Sequence, residues 1–199
     1  MPMRARSRSG LRSQAGMTLV EMLVGIGIFT VIAVTLSTIL FSSTKLTSRT
    51  SRRANAQGNV RQALSLMSTE LRQAGADPSI PAAGIVAIVS ADSVSVHVRA
   101  DLNGDGVLQT AEPSEDVTYR YAPSTSELTR DPGTGASTVA SDITSLELRY
   151  FDASNNRLTA LPLSVADAAL VRSVGIHLTA QDGDAHPISL DSRVTLRNR

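Results

Sequence analysis

Residues 16–24 read Gly16-Met17-Thr18-Leu19-Val20-Glu21-Met22-Leu23-Val24, and they open an apolar run that ends near Phe41. Between Met17 and Phe41, Glu21 is the only ionisable side chain. An ionised carboxylate in hydrocarbon costs roughly 2.5–3.5 kcal/mol on insertion scales, so it usually has a partner. The run around Glu21 contains no opposite charge. We therefore expect the partner to come from another molecule or from a new chain terminus, which points to a subunit of an assembly.

The segment before Gly16 is basic and contains no acidic residue; its arginines are Arg4, Arg6, Arg8 and Arg12. A secretory signal has a core of about 7–15 apolar residues and a small-x-small cleavage site. Residues 17–41 are longer and lack that site. As a helix they measure about 37 Å, enough to cross a hydrocarbon core of about 30 Å. The positive-inside rule then places the N-terminus in the cytoplasm and the remaining residues across the membrane.

The residues from Gly16 to Val24 resemble the type III signal of type IV pilins and type II secretion pseudopilins. The resemblance implies that a prepilin peptidase cleaves between Gly16 and Met17 and methylates the new amine of Met17. Glu21 is then the fifth residue of the mature chain and neutralises the N-terminal amine of a neighbouring subunit. The chain departs from the family in having Met17, where Phe is more frequent, and in lacking proline in residues 17–77. The alternative is a plain single-pass anchor with an accidental glutamate.

The distribution of charge changes along the chain. Removing residues 1–16 takes away four arginines and leaves 15 Lys and Arg against 18 Asp and Glu, a net charge of −3. Residues 42–75 carry six basic residues and one acid, and residues 76–199 carry nine and sixteen. This balance gives nucleic-acid binding no support. A basic stalk can dock against the acidic head of a neighbour, or both can be ordinary solvated surfaces. The chain has no cysteine, so it has no disulfide framework.

The hydrophobic pattern predicts an α+β fold of the pilin type, with a long N-terminal helix packed on an antiparallel β-sheet head. Val60, Leu64, Met67 and Leu71 form a helical stripe, and Gly75 suits a helix end. One helix is expected from about Met17 to Ala74. Alternating apolar residues predict strands near residues 85–89, 94–98, 117–121, 146–150, 174–178 and 188–196. The expected organisation is a removed leader (1–16), a transmembrane half-helix (17–41), an amphipathic stalk helix (42–75) and a β-rich head (76–199).

Residues 101–112 match the calcium-loop pattern D-x-[DN]-x-[DN]-G-x5-E at every defined position. Ca²⁺ takes six to eight oxygen ligands, and this spacing supplies them. The flanking segments read as strands, so we expect an EF-hand-like loop with a structural Ca²⁺ ion inside a β-connection. The alternative is a metal-free turn, since Asp, Asn and Gly also suit turns. The expected ligands are Asp101, Asn103, Asp105, the Val107 carbonyl, Gln109 (through water) and Glu112.

No nucleophile elbow, phosphate loop or dinucleotide motif occurs, and we expect no enzyme. Residues 61–75, 117–121, 128–130 and 143–151 are similar to PilW-type minor pilins and J-type pseudopilins. That likeness implies a structural subunit that helps to initiate or cap a type IV pilus or a type II secretion pseudopilus. Its partners would be other pilin subunits, prepilin peptidase and the bacterial inner membrane, with the head periplasmic or extracellular. Alternatives are a Ca²⁺-dependent adhesin or DNA-uptake subunit, and an anchored envelope protein that never polymerises.

Overall fold

The computed structural model describes residues 16–79, 82–109, 115–181, 183 and 186–198. The chain divides into two compact units, Met1–Thr47 and Ser48–Arg199. Helix α1, Leu19–Gln73, supplies residues to both. The helix and the antiparallel sheets that follow it confirm the predicted α+β class.

The first unit contains the apolar part of α1. Its large apolar side chains are exposed; Leu19 and Phe29, for example, are 78% and 71% accessible. The hydroxyl groups of Thr30, Thr35 and Ser37 donate to backbone carbonyls one turn earlier, at 2.7–2.8 Å. Polar groups in a lipid-facing helix need such internal partners because hydrocarbon supplies none. Among the described residues, α1 is the one helix with the length and composition of a membrane span.

The second unit holds two antiparallel sheets rather than the one that the sequence suggested. The first has the strand order β1-β2-β3-β4-β5, and the second β7-β6-β8-β9. The strands of the first sheet are β1 Ile88–Ala91, β2 Ser95–Arg99, β3 Asp116–Ala122, β4 Glu127–Asp131 and β5 Ser137–Ala140. Those of the second are β6 Ile143–Phe151, β7 Arg157–Leu158, β8 Ser173–Ala180 and β9 Ile188–Thr195, with helix α2 at Val165–Leu170.

Several elements differ from the sequence prediction. Strands β4, β5 and β7 and helix α2 were not predicted, and residues 85–87 precede strand β1 instead of belonging to it. The other predicted strands lie where the alternation placed them. The missed strands carry few apolar residues, as the sequence of β4, Glu127-Leu128-Thr129-Arg130-Asp131, shows.

The apolar stripe of α1 packs on the sheets of the second unit. Val60, Met67 and Leu71 are fully buried and Leu64 is 8% exposed. They share one core with inward residues of both sheets, including Tyr119, Leu128, Leu148, Tyr150, Ile176 and Leu178. Each large buried side chain contributes about 1.5–3 kcal/mol relative to exposure. The prediction that the amphipathic half of the helix covers the sheets is confirmed.

Gly75 ends the helix as predicted, with φ +78°. The helix itself stops at Gln73, one residue before the expected end. The Gly75 N–H donates to the carbonyl of Arg99 at 2.8 Å, so the turn out of the helix is fixed to strand β2. A Cβ atom at this position would lie 2.9 Å from the Ala87 Cβ and 3.0 Å from the Asn198 carbonyl oxygen. Both the positive φ and the close packing therefore require glycine.

Candidate functional site

The start of α1 is held by a reciprocal pair of hydrogen bonds between Thr18 and Glu21. The Glu21 N–H donates to the Thr18 hydroxyl oxygen at 3.3 Å, and the Thr18 N–H donates to a Glu21 carboxylate oxygen at 3.4 Å. This is a capping box, in which the residue before the helix and the third helical residue satisfy each other's free N–H groups. Gly16 and Met17 precede the helix and are exposed.

The capping box gives Glu21 a local partner that sequence reasoning missed. The signal was present, since Thr18-Leu19-Val20-Glu21 has the S/T-x-x-E spacing of a capping box. Both bonds are long, and Thr18 carries no charge. The Glu21 carboxylate therefore accepts one hydrogen bond within its own helix end, from the Thr18 N–H, and its expected counter-charge stays a prediction.

The Asp-rich loop after strand β2 is closed by carboxylates that accept backbone N–H groups. Asp101 is fully buried, and its two oxygens accept the N–H groups of Gly104 at 2.6 Å and Gly106 at 2.8 Å. Glu115, which is 1% exposed, accepts the N–H groups of Leu102 at 2.7 Å and Gln109 at 3.0 Å. Sequence reasoning missed Glu115, whose position outside the motif gave no sign of this role.

The side chains of Asn103, Asp105 and Gln109 come together on the exposed side of the loop. The amide nitrogens of Asn103 and Gln109 donate to one oxygen of Asp105, at 3.0 Å and 2.6 Å, and the other oxygen accepts the Val107 N–H at 2.8 Å. The Val107 hydrogen bond is the main cause that lowers the pKa of Asp105, aided by the bonds from the two amides and opposed by partial desolvation. Glu112 lies outside the described residues.

The oxygen atoms of this loop are of the kinds that bind Ca²⁺, because carboxylate, amide and carbonyl oxygens are the ligands of hard cations. A carboxylate has about four acceptor positions, so Asp101 keeps free lone pairs beside its two N–H bonds. Within the described residues, no three His, Cys, Asp or Glu side chains are grouped closely enough to hold a metal ion.

A buried polar cluster joins the stalk part of α1 to the first sheet. Glu70 accepts hydrogen bonds from the Tyr119 hydroxyl at 2.5 Å and from Arg130 Nε and Nη2 at 2.9 Å and 2.7 Å. Tyr119 on β3 and Arg130 on β4 are paired residues of adjacent strands, which places their side chains together on one face. The side chains of Glu70 and Arg130 are each 16% exposed.

The cluster shifts the protonation of its members. Burial, together with the charge and hydrogen bond of Glu70, raises the pKa of Tyr119 far above its ordinary value. Burial acts to lower the pKa of Arg130, but the hydrogen bond and charge of Glu70 outweigh it and raise that pKa. The one sequence hint to this cluster was that Glu70 is the only acid in residues 42–75.

The comparison with known families matches residues 11–37 to the prokaryotic N-terminal methylation motif. The motif marks a type IV pilin-like or pseudopilin precursor. The match covers Gly16, Met17, Glu21 and most of the apolar run, so it agrees with the residues on which the resemblance rested. No curated protein matches the chain at a significant level.

The motif implies processing by a prepilin peptidase and assembly with other pilin subunits. The apolar helix has the length and composition of a membrane anchor.

Proposed function

We propose that this prepilin is a minor pilin or pseudopilin that helps to initiate or cap a type IV pilus or a type II secretion pseudopilus. The methylation motif over residues 11–37 carries the proposal. The long helix packed on a β-rich head supports it, since that is the architecture expected of a filament subunit. The similarity of residues 61–75 and 143–151 to PilW-type minor pilins and J-type pseudopilins favours an initiating or capping position over a bulk filament subunit.

In this proposal the peptidase cuts between Gly16 and Met17 and methylates the amine of Met17. Both residues are exposed and lie before the first turn of α1, so the bond is not protected by helical hydrogen bonds. Mass spectrometry of the native polypeptide tests the cut. The expected mature chain begins with N-methyl-Met17, and an intact leader or an end elsewhere would exclude this site.

The proposed role of Glu21 is to neutralise the amine of a neighbouring subunit during assembly. Replacing Glu21 with Val should leave cleavage intact and abolish entry into filaments, because the amine would then enter the bilayer without a counter-charge. Thr18→Ala is the matched control. It removes the capping hydroxyl but keeps the carboxylate, so the variant should still assemble. Surface filaments and secretion that are unchanged in the Glu21→Val cells would refute the assembly role.

We further propose that the loop after β2 holds a structural Ca²⁺ ion through Asp101, Asn103, Asp105, the Val107 carbonyl and Gln109, together with the predicted ligand Glu112. The ion would supply positive charge among carboxylates that otherwise repel one another in a domain without disulfides. Thermal melting of the full chain in detergent, with Ca²⁺ and with a chelator, tests this. A higher midpoint with Ca²⁺ is expected.

Asp105→Ala and Asp131→Ala form a matched pair for this test. Asp105 is exposed and belongs to the motif. Asp131 caps a different turn by accepting the N–H groups of Gly133 and Gly135, at 2.8 Å and 3.2 Å. The Ca²⁺-dependent rise should vanish in Asp105→Ala and persist in Asp131→Ala. Identical melting midpoints of the unaltered protein with and without Ca²⁺ would exclude a structural Ca²⁺ ion in this loop.

A further inference from the structure

The outer face of the second sheet carries a notch between two arginines. Strand pairing places Arg149 on β6, Gly175 on β8 and Arg193 on β9 side by side. Because Gly175 has no side chain, a cavity of about 300 Å³ opens there, and Phe151 and Asp191 also line it. Two positively charged side chains, Arg149 and Arg193, therefore line the notch.

Arg149 is incompletely satisfied in its present position. Its Nη2 donates to Glu147 at 2.7 Å, but its Nε is buried and has no hydrogen-bond partner. Among the described residues it is the only buried side-chain nitrogen or oxygen without one. Glu147 also accepts a bond from Arg157 at 2.9 Å, so it keeps a counter-ion if Arg149 turns away. Arg149 can therefore leave Glu147 without leaving that carboxylate unpaired.

Arg193 is held in place by groups that carry no negative charge. Its guanidinium stacks on the Phe151 ring at 3.9 Å from the centroid and donates to the Ser173 hydroxyl at 2.9–3.0 Å and to Asn155. The structure shows no ion pair between Arg193 and a described carboxylate. The neighbouring Asp191 is paired with His177 at 2.9 Å. A fixed, stacked guanidinium that has no counter-ion among the described residues is suited to receive an anion.

We propose that this notch binds a carboxylate group carried on a short apolar stem. Arg149 turns so that its Nε and Nη2 grip the two carboxylate oxygens, which gives the orphaned Nε its missing acceptor. Arg193 approaches from the opposite side, and the Phe151 ring contacts the stem. A singly charged carboxylate fits better than a phosphate dianion because the acid Asp191 lines the notch and Glu147 is bonded to Arg149. The carboxylate belongs to a free small molecule or to an acidic residue of another copy of this chain.

The test is a titration of the full chain in detergent micelles with sodium acetate, followed by the NMR signals of the arginine Nε–H groups. The Arg149 and Arg193 signals are expected to shift and saturate. Arg149→Lys keeps the charge but removes the two-pronged donor, so acetate should bind about tenfold more weakly or worse. Arg120→Lys, an exposed arginine on β3, is the matched control and should leave acetate binding unchanged.

Gly175→Ala tests the notch without touching either arginine. Its added Cβ would lie 3.4 Å from Phe151 Cε2 and 3.6 Å from the Arg149 Cβ, which is normal contact, so folding should persist while acetate binding weakens. Equal binding by the Arg149→Lys and unaltered proteins would overturn the proposal, as would tighter binding of inorganic phosphate than of acetate. Without acetate, a shift that grows with protein concentration identifies another copy as the source of the carboxylate. Signals that are independent of protein concentration and shift only with added acetate identify a free small molecule.

Discussion

Replacing Glu70 with Gln should destabilise the head strongly, because this carboxylate receives three hydrogen bonds from Tyr119 and Arg130. Gln keeps the shape but removes the charge, which leaves the Arg130 guanidinium partly buried without a counter-ion. Removing one partner of a buried ion pair costs about 3–5 kcal/mol. Since both side chains are 16% exposed, we expect the lower end, about 3 kcal/mol. That is a large part of a typical domain stability of about 5–15 kcal/mol.

Denaturant unfolding followed by tyrosine fluorescence measures this cost. The chain has three tyrosines and no tryptophan. All three tyrosines, Tyr119, Tyr121 and Tyr150, are buried in the head. The signal therefore reports the head even when the apolar helix stays in a detergent micelle. Glu127→Gln is the control. Among the described residues, the Glu127 carboxylate accepts one exposed hydrogen bond, from the Thr138 hydroxyl at 3.3 Å, so the change should alter the stability by less than about 0.5 kcal/mol.

A double mutant separates the ion pair from general disruption. Arg130→Met alone removes the cation, and Glu70→Gln with Arg130→Met removes both charges. Replacing both members of a buried pair with neutral groups is far less costly than removing one. The double mutant should therefore lose less stability than the two single losses combined. A loss below about 1 kcal/mol for Glu70→Gln, or strictly additive losses, would refute the coupling between helix and sheet.

Two further predictions concern the backbone and the alkaline limit of the same head. Gly75→Ala should destabilise the protein by about 2–4 kcal/mol, because Gly75 has a positive φ and an added Cβ would meet contacts of 2.9–3.0 Å. Gly58→Ala, whose added Cβ meets nothing within 4 Å, should stabilise the helix by up to about 1 kcal/mol. Equal shifts of the melting temperature in the two variants would contradict this. Burial raises the pKa of Tyr119 and Tyr150, so these tyrosines lose their protons at a lower pH in the unfolded chain than in the folded one. The free energy of unfolding should be at its full value below pH 10 and fall above it by about 1.4 kcal/mol per pH unit for each tyrosine. A denaturation midpoint that stays constant between pH 9 and 11 would contradict this prediction.

The sequence predicted the elements whose pattern is local. The apolar run and the stripe from Val60 to Leu71 repeat with the helical period, and the long strands alternate, so their positions were accessible. Strand β4 was not, because its inward-facing Arg130 breaks the alternation. That arginine is tolerated in the core side of the sheet only because Glu70, distant in sequence, satisfies it. No local pattern carries such a pairing, and the separation into two sheets depends on the same kind of long-range register.

The candidate sites also differ in whether their residues are close in sequence or are brought together by folding. Gly16, Met17 and Glu21 lie in one short segment, so the resemblance could be seen in the sequence, and the roles it implies for them stay predictions. Gly106, the defined glycine of the loop motif, has a positive φ of 76°, as a sharp turn requires. The buried role of Glu115 and the orphaned Nε of Arg149 arise from residues brought together by folding, and spacing cannot reveal them.

The long Thr18–Glu21 hydrogen bonds affect the state of an unassembled subunit in the membrane. The proposed cleavage between Gly16 and Met17 would leave the Thr18 N–H intact, so the bonds would remain available to the mature chain. An unassembled subunit can thus keep its acid occupied by its own helix end. At 3.4 Å the bond from the Thr18 N–H to the carboxylate is weak, and it is given up at little cost when an amine arrives. We expect a resting subunit to be tolerated by the bilayer and yet remain ready to polymerise.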